Sequence, residues 1–473
     1  MSKSYLKIGI KLIAIYLITA VLFKWAVGES FEYREKTISQ YDVTSAIGPL
    51  TSGQEIYQEL IPALDKLSAI SVCLGAFGPD SQGTFDVEIT NITDNINYPI
   101  FSVNIPATSE GLWYDIILPY EVDNILNKKI ALKMICREQG MNALALYCND
   151  SNNTLGTKLL VNQKDRDGEL AYVLIGKEKR PAYAYYWIMT GTVGIILAMY
   201  LYYTHCCYKG NKSNALIEFD NLWERYNFLI RQLISRDFKN KYKRSVLGYL
   251  WSFLNPVATM VVQYAVFSTI FKSDIENFPV YLLAGTVFFS FFTEAVGQGL
   301  IAIVGNAALI TKVYVPKYIY TVTKVYSCSI NLVISLVPLL LLALITGTPL
   351  DPSIILLIVP IIAILIFATG ISLLLSCSMV FFRDTQYLWG IVSLVWMYAT
   401  PLFYPVSILP ENVKTILMLN PLYYIVTFVR TILIEGKSPE PILYILCMIG
   451  PIISLIVGGL VFKKYQSKFI LYI

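Results

Sequence analysis

The chain has a single histidine, His205, among 473 residues, and that scarcity excludes a histidine-based metal site or catalytic triad. No G-x-x-x-x-G-K-[ST] stretch occurs, so the chain carries no phosphate-cradling loop of its own. If it moves a cargo actively, it draws on an ion gradient or on a separate ATPase. No CxxC pair is present among the eight cysteines. Cys206 and Cys207 adjoin the end of an apolar run, and Cys328, Cys377 and Cys447 lie inside such runs. Only Cys73, Cys136 and Cys148 fall in a polar segment, an odd number that argues against a full disulfide framework but allows one bridge. Charge is also sparse, at 15% of residues.

What is abundant is apolar surface. Hydrophobic residues make up 55% of the chain, far above a soluble protein, and mark a polytopic membrane protein. The charges are segregated. Gly28 to Arg180 holds 21 acidic and 13 basic residues, whereas the remainder holds 12 acidic and 24 basic. An acidic polar segment therefore lies between basic, membrane-flanking ones. The basic residues cluster at the ends of apolar runs, which indicates membrane orientation and contact with lipid rather than nucleic-acid binding.

Residues 1–27 read as an uncleaved transmembrane helix, because Lys3, Lys7 and Lys11 precede or open the run Ile8–Val27 and no clear cleavage site follows it. Residues 28–180 alternate in short runs between turn signals. Examples are Ala69–Phe77, Gly83–Ile89, Trp113–Leu118, Lys129–Cys136, Asn142–Cys148 and Glu169–Ile175, which predict an extracytoplasmic all-β sandwich, loosely jelly-roll-like. Residues 181–205 form a second span. In 206–249 an amphipathic interfacial helix is expected over Leu216–Ile234, with Phe219, Leu222, Trp223, Tyr226, Ile230 and Leu233 on one face, followed by a basic linker. Residues 250–473 contain six further spans, near 250–271, 278–304, 319–345, 354–381, 387–404 and 442–461. The stretch 405–437, broken at Pro410 and Asn420-Pro421, reads as outer re-entrant helices. Lysine and arginine distribution places both termini in the cytoplasm.

Several constellations bear on chemistry. Arg236, Lys239, Lys241, Lys243 and Arg244 form a basic cluster just before the first of the six spans. Taken alone it is a positive-inside anchor. Glu294 lies inside a span, where an ionisable group points either to function or to a helix-packing hydrogen bond. Phe288, Phe292, Trp396, Tyr398, Phe403 and Tyr404 belong to aromatic groups that belt packing or a sugar-stacking conduit would both explain. Phe382-Arg383-Asp384 at a span end is either a snorkelling arginine beside an acid or a docking contact. Asp165-Arg166-Asp167-Gly168 contains a DxD pattern, and between candidate strands it reads as a β-turn rather than a metal site. Trp113, Tyr114 and Tyr120 are either sandwich core or a sugar platform.

From Arg236 onward the order of residues becomes specific. Arg236-Asp237, Tyr242-Lys243-Arg244-Ser245, Leu247-Gly248, Leu250-Trp251 and Asn255-Pro256 resemble the opening signature of type-2 ABC transporter permeases. More narrowly they resemble the polysaccharide-export branch that moves O-antigen and teichoic-acid polymers. Ala284-Gly285 through Phe292, Asn306–Pro316, Phe382-Arg383-Asp384, Thr400-Pro401 through Tyr404-Pro405, Leu419-Asn420-Pro421 and Val429-Arg430 follow in the matching order. The resemblance covers about half the chain, from 216 to 473.

It implies a homodimeric permease working with two copies of a cytoplasmic ABC ATPase, which would hold ATP and Mg; no cofactor is expected on this chain. The substrate implied is a polyprenyl-diphosphate-linked polysaccharide exported through a bacterial cytoplasmic membrane. The five bases would attract the carrier diphosphate beside a gate helix. Lys312, Tyr314 and Pro316, with Arg383 and Asp384, would couple to the ATPase, and Asn420 and Arg430 would belong to outer gate helices. The N-terminal hairpin and its β-domain depart from the usual member. Two rivals are a polysaccharide chain-length regulator and a membrane glycosyltransferase. The six further spans oppose the first, and the poorly placed DxD opposes the second.

Overall fold

The computed structural model describes residues 4–472 except 41, 77–80, 109–111, 140–143, 151–156, 181–182, 184, 211–213, 243–247, 249, 271–276, 314 and 350. The chain divides into two compact units, residues 32–186 and the remainder.

Unit 32–186 is built from strands. Among them are β1 (Tyr33–Gln40), β2 (Glu55–Leu60), β3 (Lys66–Ala76), β4 (Ser81–Asn91), β5 (Phe101–Thr108), β6 (Leu112–Asp123), β7 (Ile130–Gln139) and β8 (Tyr172–Lys179), with Leu144–Asn149 pairing beside the end of β3. One sheet runs β1-β8-β3-β6 and the other β2-β7-β4-β5, all antiparallel. Alternation determines which side chains meet. In the first sheet Leu174, Ile70 and Ile116 stand in one row, and in the second Ile56, Met134, Val87 and Phe101 do. These rows face each other as a single apolar core. Nearly all the described residues of the alternating runs expected from the sequence lie in strands. Those missed, β1, β2 and β5, are polar on the outer side.

The Asn162-Gln163 pair has φ of 51° and 62° and turns the hairpin between 159–161 and 164–166. Asp165 and Arg166 thus lie on a strand, with the chain bending at Asp167 and Gly168 (φ 110°), which corrects the expected placing of the whole DxD in a turn. Cys73, Cys136 and Cys148 are buried, free thiols, so the possible bridge is not formed.

Ion pairs lace the outside of the first sheet. Glu178 accepts from Arg34 (2.5 Å) and Lys36 (3.1 Å), and Glu121 from Lys177 (2.6 Å) and Lys66 (3.1 Å). The Lys177 hydrogen bond lowers the Glu121 carboxyl below its ordinary value, and the Arg34 bond does the same for Glu178. A lowered folded value means stability that is present above the unfolded pKa and lost as pH falls through the folded one. Amide protection in β1 and β8 of the full chain is therefore expected to weaken below about pH 4.3. An E121Q/E178Q double variant should show a flatter acid dependence; an unchanged slope would dismiss these pairs as its source.

The other unit is helical. Its main helices are α1 (Ser4–Val27), α2 (Tyr186–Lys209), α3 (Ala215–Tyr242), α4 (Leu250–Ile270), α5 (Phe278–Leu300), α6 (Tyr318–Ile345), α7 (Ile358–Phe381), α8 (Thr385–Ala399), α9 (Glu411–Leu417), α10 (Pro421–Ile434), α11 (Pro441–Tyr465) and α12 (Phe469–Tyr472). Among the described residues seven helices are long and apolar enough to cross a membrane, or eight if the bent pair α9–α10 is one span. The expected span 387–404 is the difference. α8 has 15 residues and rises only about 22 Å, short of a hydrocarbon core of about 30 Å. It ends at Thr400-Pro401, because a residue before proline is pushed out of the helical region.

The helix α3 runs past Ile234 through the expected basic linker to Tyr242. No glycine or proline interrupts it, and its terminal lysines suit the negative end of the helix dipole. The centre of this unit is α5, apolar and buried on most sides between α6, α7 and α10. α7 and α11 cross closely at two glycines: a Cβ on Gly458 would lie 2.1 Å from the Gly370 carbonyl oxygen. α1 packs on this same core through Ala26 and Val27, and Phe23 meets Tyr444 edge-on at 5.5 Å. α2 attaches to α1, where Tyr16 donates to the Thr190 carbonyl (2.6 Å) and Lys24 lies over the Trp187 ring.

Candidate functional site

Two polar constellations interrupt the apolar helices. The first gathers the last turns of α3 with α4, α5 and α6. Lys241 Nζ lies 2.6 Å from Glu294 Oε1, which also accepts from Asn331 Nδ2 at 3.3 Å. Ser252 on α4 donates to Asn331 Oδ1 (3.1 Å), and Ser335 donates to the Ser252 carbonyl (3.1 Å). One turn earlier on α3, Asp237 pairs with Arg236 (3.0 Å) and with Lys324 of α6 (3.2 Å). Arg236 reaches on to Asn306 Oδ1 at 3.3 Å, so α3 is tied to the loop after α5.

The five-base cluster is therefore not one free patch. Arg236 and Lys241 are ion-paired, Lys239 is exposed, and Lys243 and Arg244 lie outside the described residues. Glu294 meets its partners by the helix-packing option that its position left open, with an added cation. Asn331, Lys324 and Ser252 escaped the sequence reading. Asn331 and Ser335, one turn apart in an apolar span, were the available signal.

Two cavities adjoin this cluster, of about 280 and 270 Å3. Both are lined by Lys241, Glu294, Cys328 and Asn331. Trp251, Pro256, Val287, Phe291 and Leu332 add apolar wall to the first. Asp237, Asn240, Gln298 and Lys324 add polar wall to the second.

Nearby, Ile303, Ile310 and Val315 of the loop, Leu233 of α3, Val380 of α7, and Phe462 and Phe469 form a small core. Lys312, Pro316, Arg383 and Asp384 stand around it, with Lys312, Arg383 and Asp384 exposed; Tyr314 lies outside the described residues.

The second constellation is the break after α8. Arg430 of α10 is buried and donates to three backbone carbonyls: Pro401 (2.7 Å), Leu402 (3.0 Å) and Tyr281 (3.2 Å). Its guanidinium lies 3.3 Å from the Tyr281 ring centroid. A Cβ on Gly285 would come 3.0 Å from Arg430 Nη2 and 3.1 Å from Leu402, so glycine makes room for that contact. Asn420 caps α10 by accepting from the Leu422 amide (3.1 Å). It also accepts from Trp396 Nε1 (2.9 Å) and donates to Thr400 (2.8 Å). The bonds to the Pro401 and Leu402 carbonyls and the Leu422 amide satisfy backbone groups freed where helices end inside an apolar layer. Tyr281 was not legible as a site residue.

The aromatic candidates divide. Phe288 and Phe292 are buried within the unit, and Phe292 stacks on Phe367 (4.9 Å) with Trp389 and Trp396 edge-on. Phe403 is buried against Phe267 (5.1 Å), Tyr404 donates to the Tyr398 carbonyl (2.7 Å), and Tyr398 is exposed. Phe288, Phe292 and Phe403 thus pack between helices in this subunit. In the β-unit, Tyr114 and Tyr120 turn toward the sandwich core and Trp113 faces the opposite side. Consecutive strand residues point to opposite faces, so these three do not make one platform. Tyr120 instead stacks on Tyr98 at 5.4 Å.

Residues 229–434, from α3 to the end of α10, match the model of the ABC-2 type transporter family. That segment holds both constellations. This part of the chain is similar to the ABC-2 type transporters. Members of the family are membrane-spanning transporter subunits rather than enzymes, with ATP hydrolysed by a separate subunit. Similar proteins include the O-antigen export system permease protein RfbA of Myxococcus xanthus, 29% identical over 52% of this chain and 95% of the relative. RfbA of Klebsiella pneumoniae is 28% identical over 53% and 96%. The polysialic acid transport protein KpsM of Escherichia coli is 21% identical over 50% and 93%. The matches span about half of this chain, as the ABC-2 permease segment alone would.

Proposed function

We propose that this chain is the permease subunit of an exporter for a polyprenyl-diphosphate-linked cell-surface polysaccharide. It works as a homodimer with two copies of a separate ABC ATPase, from the cytoplasmic to the outer side of a bacterial cytoplasmic membrane. The observation that carries this reading is the near full-length match of relatives named for O-antigen and polysialic acid export to the helical half. The basic residues at the inner ends of α3 and α11 support termini on the cytoplasmic side, with residues 28–180 outside.

Within this reading the exposed Lys312, Arg383 and Asp384 receive the ATPase, and the core beneath them carries its motion to α3. Lys239 remains exposed to meet an anionic carrier. The strand order β1-β8-β3-β6 over β2-β7-β4-β5 supports a jelly roll, a two-sheet form found among lectins. We assign the outer unit to handling the emerging polymer.

Affinity purification of the full chain from its native host is expected to recover one ATP-hydrolysing subunit in equal amount. Deleting the gene should remove the surface polymer while the lipid-linked polymer builds up inside. A chain that purifies without an ATPase, with surface polymer unchanged on deletion, would overturn the reading.

A further inference from the structure

The inner constellation offers a device that neither the family match nor the proposed cargo specifies. Lys241 stands on the interfacial helix α3, and Glu294 and Asn331 on the spans α5 and α6. The same side chains line the apolar-walled cavity and the polar one. At this level α3 meets α5 through an ion pair that is half-exposed on both partners. Such a pair contributes little to stability and is readily exchanged for water. Its geometry suits a part that opens without unfolding anything.

We propose that the Lys241–Glu294 pair is a latch closing the passage between the two cavities. Asn331 holds the Glu294 carboxylate in place, and Ser252 holds Asn331. Arg236–Asn306 and Asp237–Lys324 attach the same helix to the loop after α5 and to α6, so displacement of that loop pulls on the latch. Released, Glu294 and Lys241 separate, and the apolar-walled cavity between α4, α5 and α6 becomes continuous with the polar one.

Cys328 reports the state of the latch, because its thiol lies in both cavity walls yet is only 5% exposed. Cys447, fully buried elsewhere in the helical unit, reports folding. The full chain in lipid nanodiscs, open on both faces, is treated with N-ethylmaleimide, and each cysteine is followed by peptide mass spectrometry. In E294Q and in K241Q, Cys328 is expected to react roughly threefold faster than in the unaltered protein, with Cys447 still protected. The charge-swapped K241E/E294K protein should return Cys328 to its slow rate. Unchanged Cys328 labelling in both single variants would overturn the proposal. So would Cys447 reacting in step with Cys328, or a charge swap that fails to restore protection. The readout needs neither ATP nor cargo, so it can fail while the transporter reading stands, and the reverse.

Discussion

Replacing Arg430 by methionine is expected to cost about 3 kcal/mol or more, enough to leave little folded protein. The side chain donates to the carbonyls of Pro401 and Leu402, where α8 has ended, and to that of Tyr281 in α5. Methionine fills the volume but takes this donor from the Pro401 and Leu402 carbonyls, at about 1–3 kcal/mol each. R430K retains the charge but not the planar fork that reaches several carbonyls at once, so it should fall between methionine and arginine. Thermal unfolding of the purified chain in detergent checks the order. If R430M melts with the unaltered protein, Arg430 does not hold the break together. If R430K is fully stable yet inactive in export, its role lies in transport itself.

The crossing of α7 and α11 should be as sensitive. In G458A the new methyl would sit 2.1 Å from the Gly370 carbonyl oxygen, and G370A would place its own 2.4 Å from the Ser454 carbonyl carbon. These neighbours are backbone and cannot swing aside, so the helices must part. Overpacking of this kind costs about 1–3 kcal/mol, and here it also loses the contact that small residues make possible between helices in lipid. Gly459, next in the chain, has nothing within 4 Å of a Cβ and is the internal control. G459A is expected to be neutral or slightly stabilising, because alanine is the better helix former by about 1 kcal/mol. Accumulation and melting temperature of the three variants decide the matter: equal behaviour of G458A and G459A would dismiss the crossing as a constraint.

Much of the architecture was legible because it rests on local pattern. Apolar runs of twenty residues and period-two alternation both follow from what a single element must bury, so spans and inner strands appeared near their true places. The errors occurred where neighbours decide. Strands β1, β2 and β5 show mixed polarity, and only pairing with β8, β7 and β4 makes them strands. The apolar stretch 387–404 read as a span because composition does not show that α8 stops after 15 residues.

The site divides in the same way. The sequence by itself determined the residue types: a basic run before a span, an acid within one, an arginine among apolar residues near a re-entrant break, and an order of motifs that points to a permease. Only the tertiary structure decided what those charges do. Lys241 and Glu294 are 53 positions apart, and Arg430 meets Tyr281 across 149. A charge in or beside lipid is strongly driven to find a partner, but helix packing sets which one. Five bases that looked like one anion-binding patch thus include two that hold α3 to its neighbours, and the arginine near the break caps a broken helix.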